Sequence, residues 1–250
     1  MGKILIYTAL FGSKEELREP LKPIPDAEFL CFTDRHDLKS DTWRIIHERD
    51  IPNFFVYKDR VTGEAYRYHK PRIKARMIKT ILPVRIMGFT DFFDSFDGQV
   101  YIWVDGSMQL KQDPSLLIKE FMKDADMLSF QHPDRFQIEE EAHAAHLYRG
   151  TNLEKALMQV TAYRARGFTR AEQKAISATG FLFRKHTIEM NNFNLAWISE
   201  ILIHTERDQL SVDYCIWKHR LKINYIPSAR SYRRNPWVQF YPHRKELGNA

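Results

Sequence analysis

Short runs rich in Ile, Val, Phe and Tyr recur at Ile4–Ala9, Glu28–Thr33, Trp43–His47, Val100–Val104, Met127–Gln131, Gly180–Arg184 and Lys222–Ile226. Each has the length and composition of a buried strand. Helical patterns follow at Pro71–Leu82, Gln137–Tyr148, Leu153–Arg166, Ile188–His204 and Asp208–Leu221, and Asp113-Pro114 reads as an N-cap and first helical residue opening a helix through Leu117, Phe121 and Met122. Strands interleaved with helices predict an α/β protein whose sheet is mainly parallel. In such sheets ligands sit beyond the carboxyl ends of the strands, so the residues just after each run are where chemistry is expected.

At 250 residues the chain is long enough to bury a core without disulfides or metals. Cys31 and Cys215 read as small buried hydrophobes. With no Gly/Ser-rich linker and no internal repeat, one domain over residues 1–250 is expected, closed by a basic, aromatic and extended segment at Arg230–Ala250. No apolar run approaches the roughly 18 residues of a membrane span, and Lys3-Ile4-Leu5-Ile6-Tyr7 reads as a strand rather than a signal core, so a cytoplasmic protein is expected. The 38 basic against 32 acidic residues give a net charge of +6, which favours anionic partners. Phosphorylated metabolites fit that balance. Nucleic acid is disfavoured, because the basic and aromatic residues are scattered and no RNP or zinc-finger signature accompanies them.

The run Tyr101-Ile102-Trp103-Val104 ends in Asp105-Gly106-Ser107-Met108. Asp-Gly between apolar residues is a hairpin signal. A carboxylate at a strand end is also a hard oxygen ligand for Mg²⁺ or Mn²⁺ against a diphosphate, with Ser107 adding a hydroxyl, and the two readings are compatible. The preceding helix carries His69, Lys70, Arg72, Lys74, Arg76 and Lys79, either a solvated face or a set of cations at a positive helix start that would hold the same diphosphate. His132 and Arg135 follow a strand and suit an acceptor hydroxyl or an anionic sugar group, or else a helix cap. Glu140 is either favourable charge at a helix start or a base. Asp208 and Gln209 open the last helix, where they either cap it or reach sugar hydroxyls, Asp208 also being placed to act as a base. His243, late in the chain, is a candidate to complete a metal site with Asp105.

Several stretches, in one order over roughly residues 4 to 215, resemble a known family. They are Tyr7-Thr8-Ala9-Leu10-Phe11-Gly12 with Glu19-Pro20, Cys31-Phe32-Thr33-Asp34, Trp43, Lys74, Ile102-Trp103-Val104-Asp105-Gly106-Ser107, His132-Pro133-x-Arg135, Glu140-Glu141 and Arg207-Asp208-Gln209-Leu210-Ser211. The family is the glycosyltransferase-like domain formerly catalogued as a domain of unknown function, with plant mucilage-type and bacterial members. The resemblance implies a single-domain, GT-A-like (Rossmann-like) nucleotide-sugar transferase. Its nucleotide-binding half would be residues 1–110 and its acceptor half 111–229.

By that resemblance Tyr7, Thr8 and Asp34 would face base and ribose, Lys74 the diphosphate, Asp105 a divalent metal, and Asp208 with Gln209 the donor sugar or acceptor. The chain departs from the pattern in carrying Asp105-Gly106-Ser107 where such enzymes have Asp-x-Asp, and in carrying Glu139 where relatives tend to have an aromatic residue. The expected partners are a nucleotide-sugar donor and a glycan or glycan-precursor acceptor, and polysaccharide biosynthesis the expected context. A non-catalytic module binding a nucleotide sugar or glycan is the competing expectation.

Overall fold

Alternation along the first strand, β1 (Ile4–Leu10), sets out how the core is divided. Leu5, Tyr7 and Ala9 enter one hydrophobic layer, Ile4, Ile6 and Leu10 the other, so both faces of the sheet are covered. The computed structural model describes residues 4–12, 15–58, 63–86, 100–173, 175–227 and 235–241. On the first layer lie Met77, Ile78 and Leu82 of α1 (Pro71–Ile86) and Phe193, Trp197 and Ile201 of α5 (Ile188–Ile203). Trp43, Leu117 and Met122 cover the second layer. No described helix is long and apolar enough to cross a membrane.

β1 is parallel to β2 (Ala27–Thr33) and to β6 (Val100–Val104), and β2 to β3 (Arg44–His47). Across the sheet β8 (Met127–Gln131) is parallel to β10 (Ile223–Tyr225). Between these groups β9 (Ser177–Lys185) runs antiparallel to both β6 and β8, giving the order β10-β8-β9-β6-β1-β2-β3. Chain logic explains the reversal. One crossover helix returns the chain to the edge it left, but β8 is followed by two, α3 (Ile138–Arg149) and α4 (Leu153–Ala165), so β9 enters from the carboxyl edge. Two more, α5 and α6 (Asp208–Lys218), then restore the parallel sense for β10. This α/β architecture is Rossmann-like, with a mainly parallel sheet. It also brings the start of β9 and the start of α6 to the rim formed by the ends of β1, β6 and β8.

Two local readings are corrected. Asp105-Gly106 does not close a hairpin with the next strand. Met108 N donates to Asp105 O at 2.8 Å, turning the chain off the sheet, and β7 (Met108–Leu110) pairs instead with β11 (Val238–Phe240). Gly106 is needed there for space, since a Cβ would sit 2.4 Å from Leu10 Cδ2. Second, α1 does not stop at Leu82 but continues through Pro83. Proline has no N–H for the carbonyl four residues back, Lys79 O. That orphaned acceptor is taken by the Tyr7 hydroxyl at 2.7 Å and by Arg184 Nη2 at 2.6 Å. A short antiparallel pair, β4 (Val56–Lys58) with the exposed β5 (Ala65–Arg67), lacks the apolar alternation that would have announced it. The π turn Ile118–Met122 continues a single turn, α2 (Ser115–Leu117), whose Ser115 N is capped by Asp113 at 2.8 Å. Of the expected closing segment, residues 235–241 are described and supply β11.

Asp213 of α6 holds the start of β9, accepting from Ser177 N and from Ser177 Oγ at 2.6 Å. Burial pushes its carboxyl up to about 7, against the opposing pull of the Ser177 bonds. The folded state therefore binds more protons than the unfolded one between about pH 4 and 7, and stability falls as pH rises through that window. Asp213→Asn should remove this loss, which is at most about 1.4 kcal/mol per pH unit for one proton. Urea midpoints of the two proteins should diverge from pH 4 to 7 and run parallel above it; parallel curves throughout would contradict the assignment.

Candidate active site

The rim described above opens into a cavity of about 1220 Å³. Ala9 near the end of β1 and Gly12 after it, Asp105 to Met108 after β6, His132 and Arg135 after β8, and Ala178 to Phe181 of β9 all reach its wall. Three helices contribute: α1 through Arg72, Ala75 and Arg76, α3 through Glu141 to Arg149, and the start of α6 through Arg207 and Gln209.

Five arginines line the cavity: Arg72, Arg76, Arg135, Arg149 and Arg207. Five acids line it too: Glu15, Asp105, Asp134, Glu141 and Glu206, of which Glu206 pairs with Lys70 and Glu141 is fully buried beneath two of the five arginines. Arg135 Nε donates to Glu141 Oε2 at 2.6 Å and Arg207 Nε to Oε1 at 2.7 Å. One enclosed carboxylate thus fixes two guanidinium groups, and that cluster carries net positive charge. A second cluster lies behind it. Asp208, with 0% exposure, takes Lys79 Nζ and Arg76 Nη2, the latter at 3.0 Å, and the Lys79 ammonium lies 5.5 Å from the ring centres of both Trp103 and Trp197. Burial raises the Asp208 pKa, yet Arg76, Lys79 and Arg207 outweigh it and hold the carboxyl well below the usual range.

At the centre stands Asp105, half-buried, its N–H donating to Gly180 O at 2.8 Å. Its Oδ1 accepts from Ser107 N at 3.2 Å and Ser107 Oγ at 3.1 Å, while Oδ2 accepts no hydrogen bond from the described residues. Ser107 and Gln209 are also on the wall, Gln209 Oε1 accepting from Arg207 Nη2 at 2.8 Å. Arg72 is exposed in the first turn of α1 and has no ion pair among the described residues. His132 accepts from the backbone of Asp134 and Arg135, and burial followed by the Arg135 charge pushes its pKa down to about 4, so the ring is neutral at pH 7.

Other expected residues lie off the wall. Tyr7 is enclosed in the core, its hydroxyl bound to Lys79 O and receiving Arg184, so it does not face a nucleoside. Thr8 is buried in the sheet. Asp34 uses both oxygens on Gly12 N, at 3.0 and 2.9 Å, and so holds the loop after β1 rather than lining the cavity. Gly12 has φ +56°, and a Cβ there would meet Pro71 Cγ at 2.6 Å. Lys74 points away from the cavity to Glu48, over the rings of Phe11 and Phe55. Glu140 is exposed and caps α3, accepting from Phe136 N at 2.7 Å. Asp208 is sealed behind Arg76. His243 lies outside the described residues.

Glu141 and Arg207 were not singled out from sequence, and Arg76 entered only as one of six cations on its helix; Arg76 and Glu141 each left a signal. Arg72 and Arg76 share a helix face at i, i+4, whereas Lys74 is rotated well away from both. The Gln137 and Glu140 capping box assigns Glu140 to the helix start, which leaves Ile138, Glu141, Ala142 and Ala145 as the buried stripe.

No curated protein matches the chain. The family model described as TOD1/MUCI70, glycosyltransferase-like domain, matches residues 1–231.

Proposed function

Because the chain belongs to the TOD1/MUCI70 glycosyltransferase-like domain family, we propose that it moves a sugar from a nucleoside-diphosphate donor to a hydroxyl of a glycan or glycan precursor. What supports the reading is the convergence on one cavity of Asp105, Arg72, Arg76 and Arg207 at the starts of two helices. Sugar transfer needs the departing diphosphate stabilised more than it needs any other group. The first turn of α1, at the positive end of the helix dipole, carries no acidic side chain and presents the exposed Arg72. Arg76 and Arg207 are fixed in place by Asp208 and Glu141, so they need little reorganisation when charge develops.

A divalent ion fits this donor set in one way. Among the described residues no three His, Cys, Asp or Glu side chains are grouped to hold a metal. Asp105 offers a single carboxylate with Oδ2 open, and Mg²⁺ commonly binds through one or two carboxylates and the oxygens of a substrate phosphate. Asp105 would hold such an ion, with Ser107 orienting the carboxylate. When bound, the ion would neutralise charge on the leaving diphosphate.

Neither Asp208, enclosed by cations, nor Glu140, occupied at the helix cap, stands where it can take a proton from an acceptor. Leaving-group stabilisation therefore carries the catalysis in this account.

The test is release of nucleoside diphosphate from a panel of uridine, guanosine, adenosine and cytidine diphosphate sugars, with Mg²⁺ or Mn²⁺ and without. Release from at least one donor is expected. Binding without release to water or any acceptor would favour the non-catalytic module, a reading that the single carboxylate of Asp105-Gly106-Ser107 keeps in play.

A further inference from the structure

The cavity is larger than one ligand needs, since sites for single small molecules usually measure roughly 300–1,000 Å³, against about 1220 Å³ here. Its two ends are built from different parts of the fold. One end, with Gly12 and the start of α1, holds the residues assigned above to the diphosphate; the other is the inward face of α3. Along that face Glu141, Ala144, Ala145 and Tyr148 follow at helical spacing. Tyr148 is therefore displaced from the Arg135, Glu141 and Arg207 cluster by seven residues of helix, roughly 10 Å.

Tyr148 is 76% exposed, and its hydroxyl and ring have no partner among the described residues. The helix ends immediately after it. Gly150 adopts φ +66°, and Thr151 N turns back to Ala145 O at 3.2 Å, which brings the Thr151 hydroxyl onto the same wall. An exposed aromatic ring sharing a wall with two alanines and a threonine suits the flat C–H face of a sugar ring, offering apolar contact and a polar group for its hydroxyls. The cation cluster is too far along the helix to be served by the same ring.

We propose that Tyr148, with Thr151, forms an acceptor subsite for an oligosaccharide, binding a ring remote from the reacting hydroxyl. The acceptor is then a saccharide of two or more rings. The subsite rests on the transferase reading for its purpose but not for its chemistry, and the two fail separately.

The experiment is calorimetric titration of the whole protein with neutral and uronic oligosaccharides of one to four rings, in wild type, Tyr148→Ala and Tyr148→Phe. In at least one series wild-type affinity should rise with the added rings. Tyr148→Ala should lose about tenfold of that gain while leaving single-ring binding unchanged, and Tyr148→Phe should keep it. Binding by no series, affinity independent of length, or equal affinities in wild type and Tyr148→Ala would overturn the subsite. Parallel titration with uridine, guanosine, adenosine and cytidine diphosphates and Mg²⁺ separates the readings. Length-dependent saccharide binding through Tyr148 in a protein that binds none of these nucleotides would uphold the subsite and remove the transferase.

Discussion

Replacing Asp208 by alanine is expected to destabilise the fold by about 3–5 kcal/mol, because it leaves a fully enclosed ammonium without its counter-ion. Lys79 has 0% exposure and its Nζ meets the Asp208 carboxylate between two indole rings. The Asp208 pKa is depressed in the folded state, so its stabilisation is present in full above the unfolded carboxylate pKa and is lost only as pH falls toward the lower folded value. At pH 7 the whole effect should appear as a lowered urea midpoint. The double variant Lys79→Met with Asp208→Leu should recover most of the loss, as buried ion pairs replaced by apolar groups of similar volume commonly do. An Asp208→Ala protein as stable as wild type but devoid of turnover would instead make this residue the catalytic base.

The second large effect lies in turnover rather than stability. Asp105→Ala should lower donor turnover by about a hundredfold or more, the usual loss on removing one electrostatic stabiliser of a transition state. Asp105→Asn keeps the size of the side chain and an acceptor for Ser107 but removes the charge, and should fall nearly as far. Both variants should unfold within about 1 kcal/mol of wild type, since Asp105 is half-buried and makes no ion pair among the described residues, while Lys79 and Arg207 keep Asp208 and Glu141. Unchanged turnover in Asp105→Asn would move the leaving-group site elsewhere.

Much of this architecture could be read from residues alone. The strands at β1, β2, β6 and β8 announced themselves by composition, and the rim at their carboxyl ends is where the cavity lies. The reversed β9 is legible too, once the two helices before it are counted. What sequence could not resolve was which of two uses a polar residue had. Tyr7 belongs to a stretch whose resemblance implies a nucleoside contact, but Pro83, seventy-six positions later, leaves a carbonyl that takes its hydroxyl. Lys74 and Arg72 are equally basic, and only the helical angle sends one to Glu48 and the other to the cavity. Glu140 and Glu141 are adjacent and identical, yet the capping box takes the first and two arginines the second. Such choices depend on partners far away in the chain, which local pattern does not contain.

Transfer as described requires the cavity to hold a diphosphate at the start of α1 beside Asp105. Calorimetric titration with uridine, guanosine, adenosine and cytidine diphosphates, in the presence of Mg²⁺, addresses this directly in wild type, Arg72→Gln and Lys74→Gln. At least one diphosphate should bind, Arg72→Gln should weaken it about tenfold as a charge-assisted contact is lost, and Lys74→Gln should leave it unchanged. Failure of every diphosphate to bind, or a loss that follows Lys74 and spares Arg72, would contradict it.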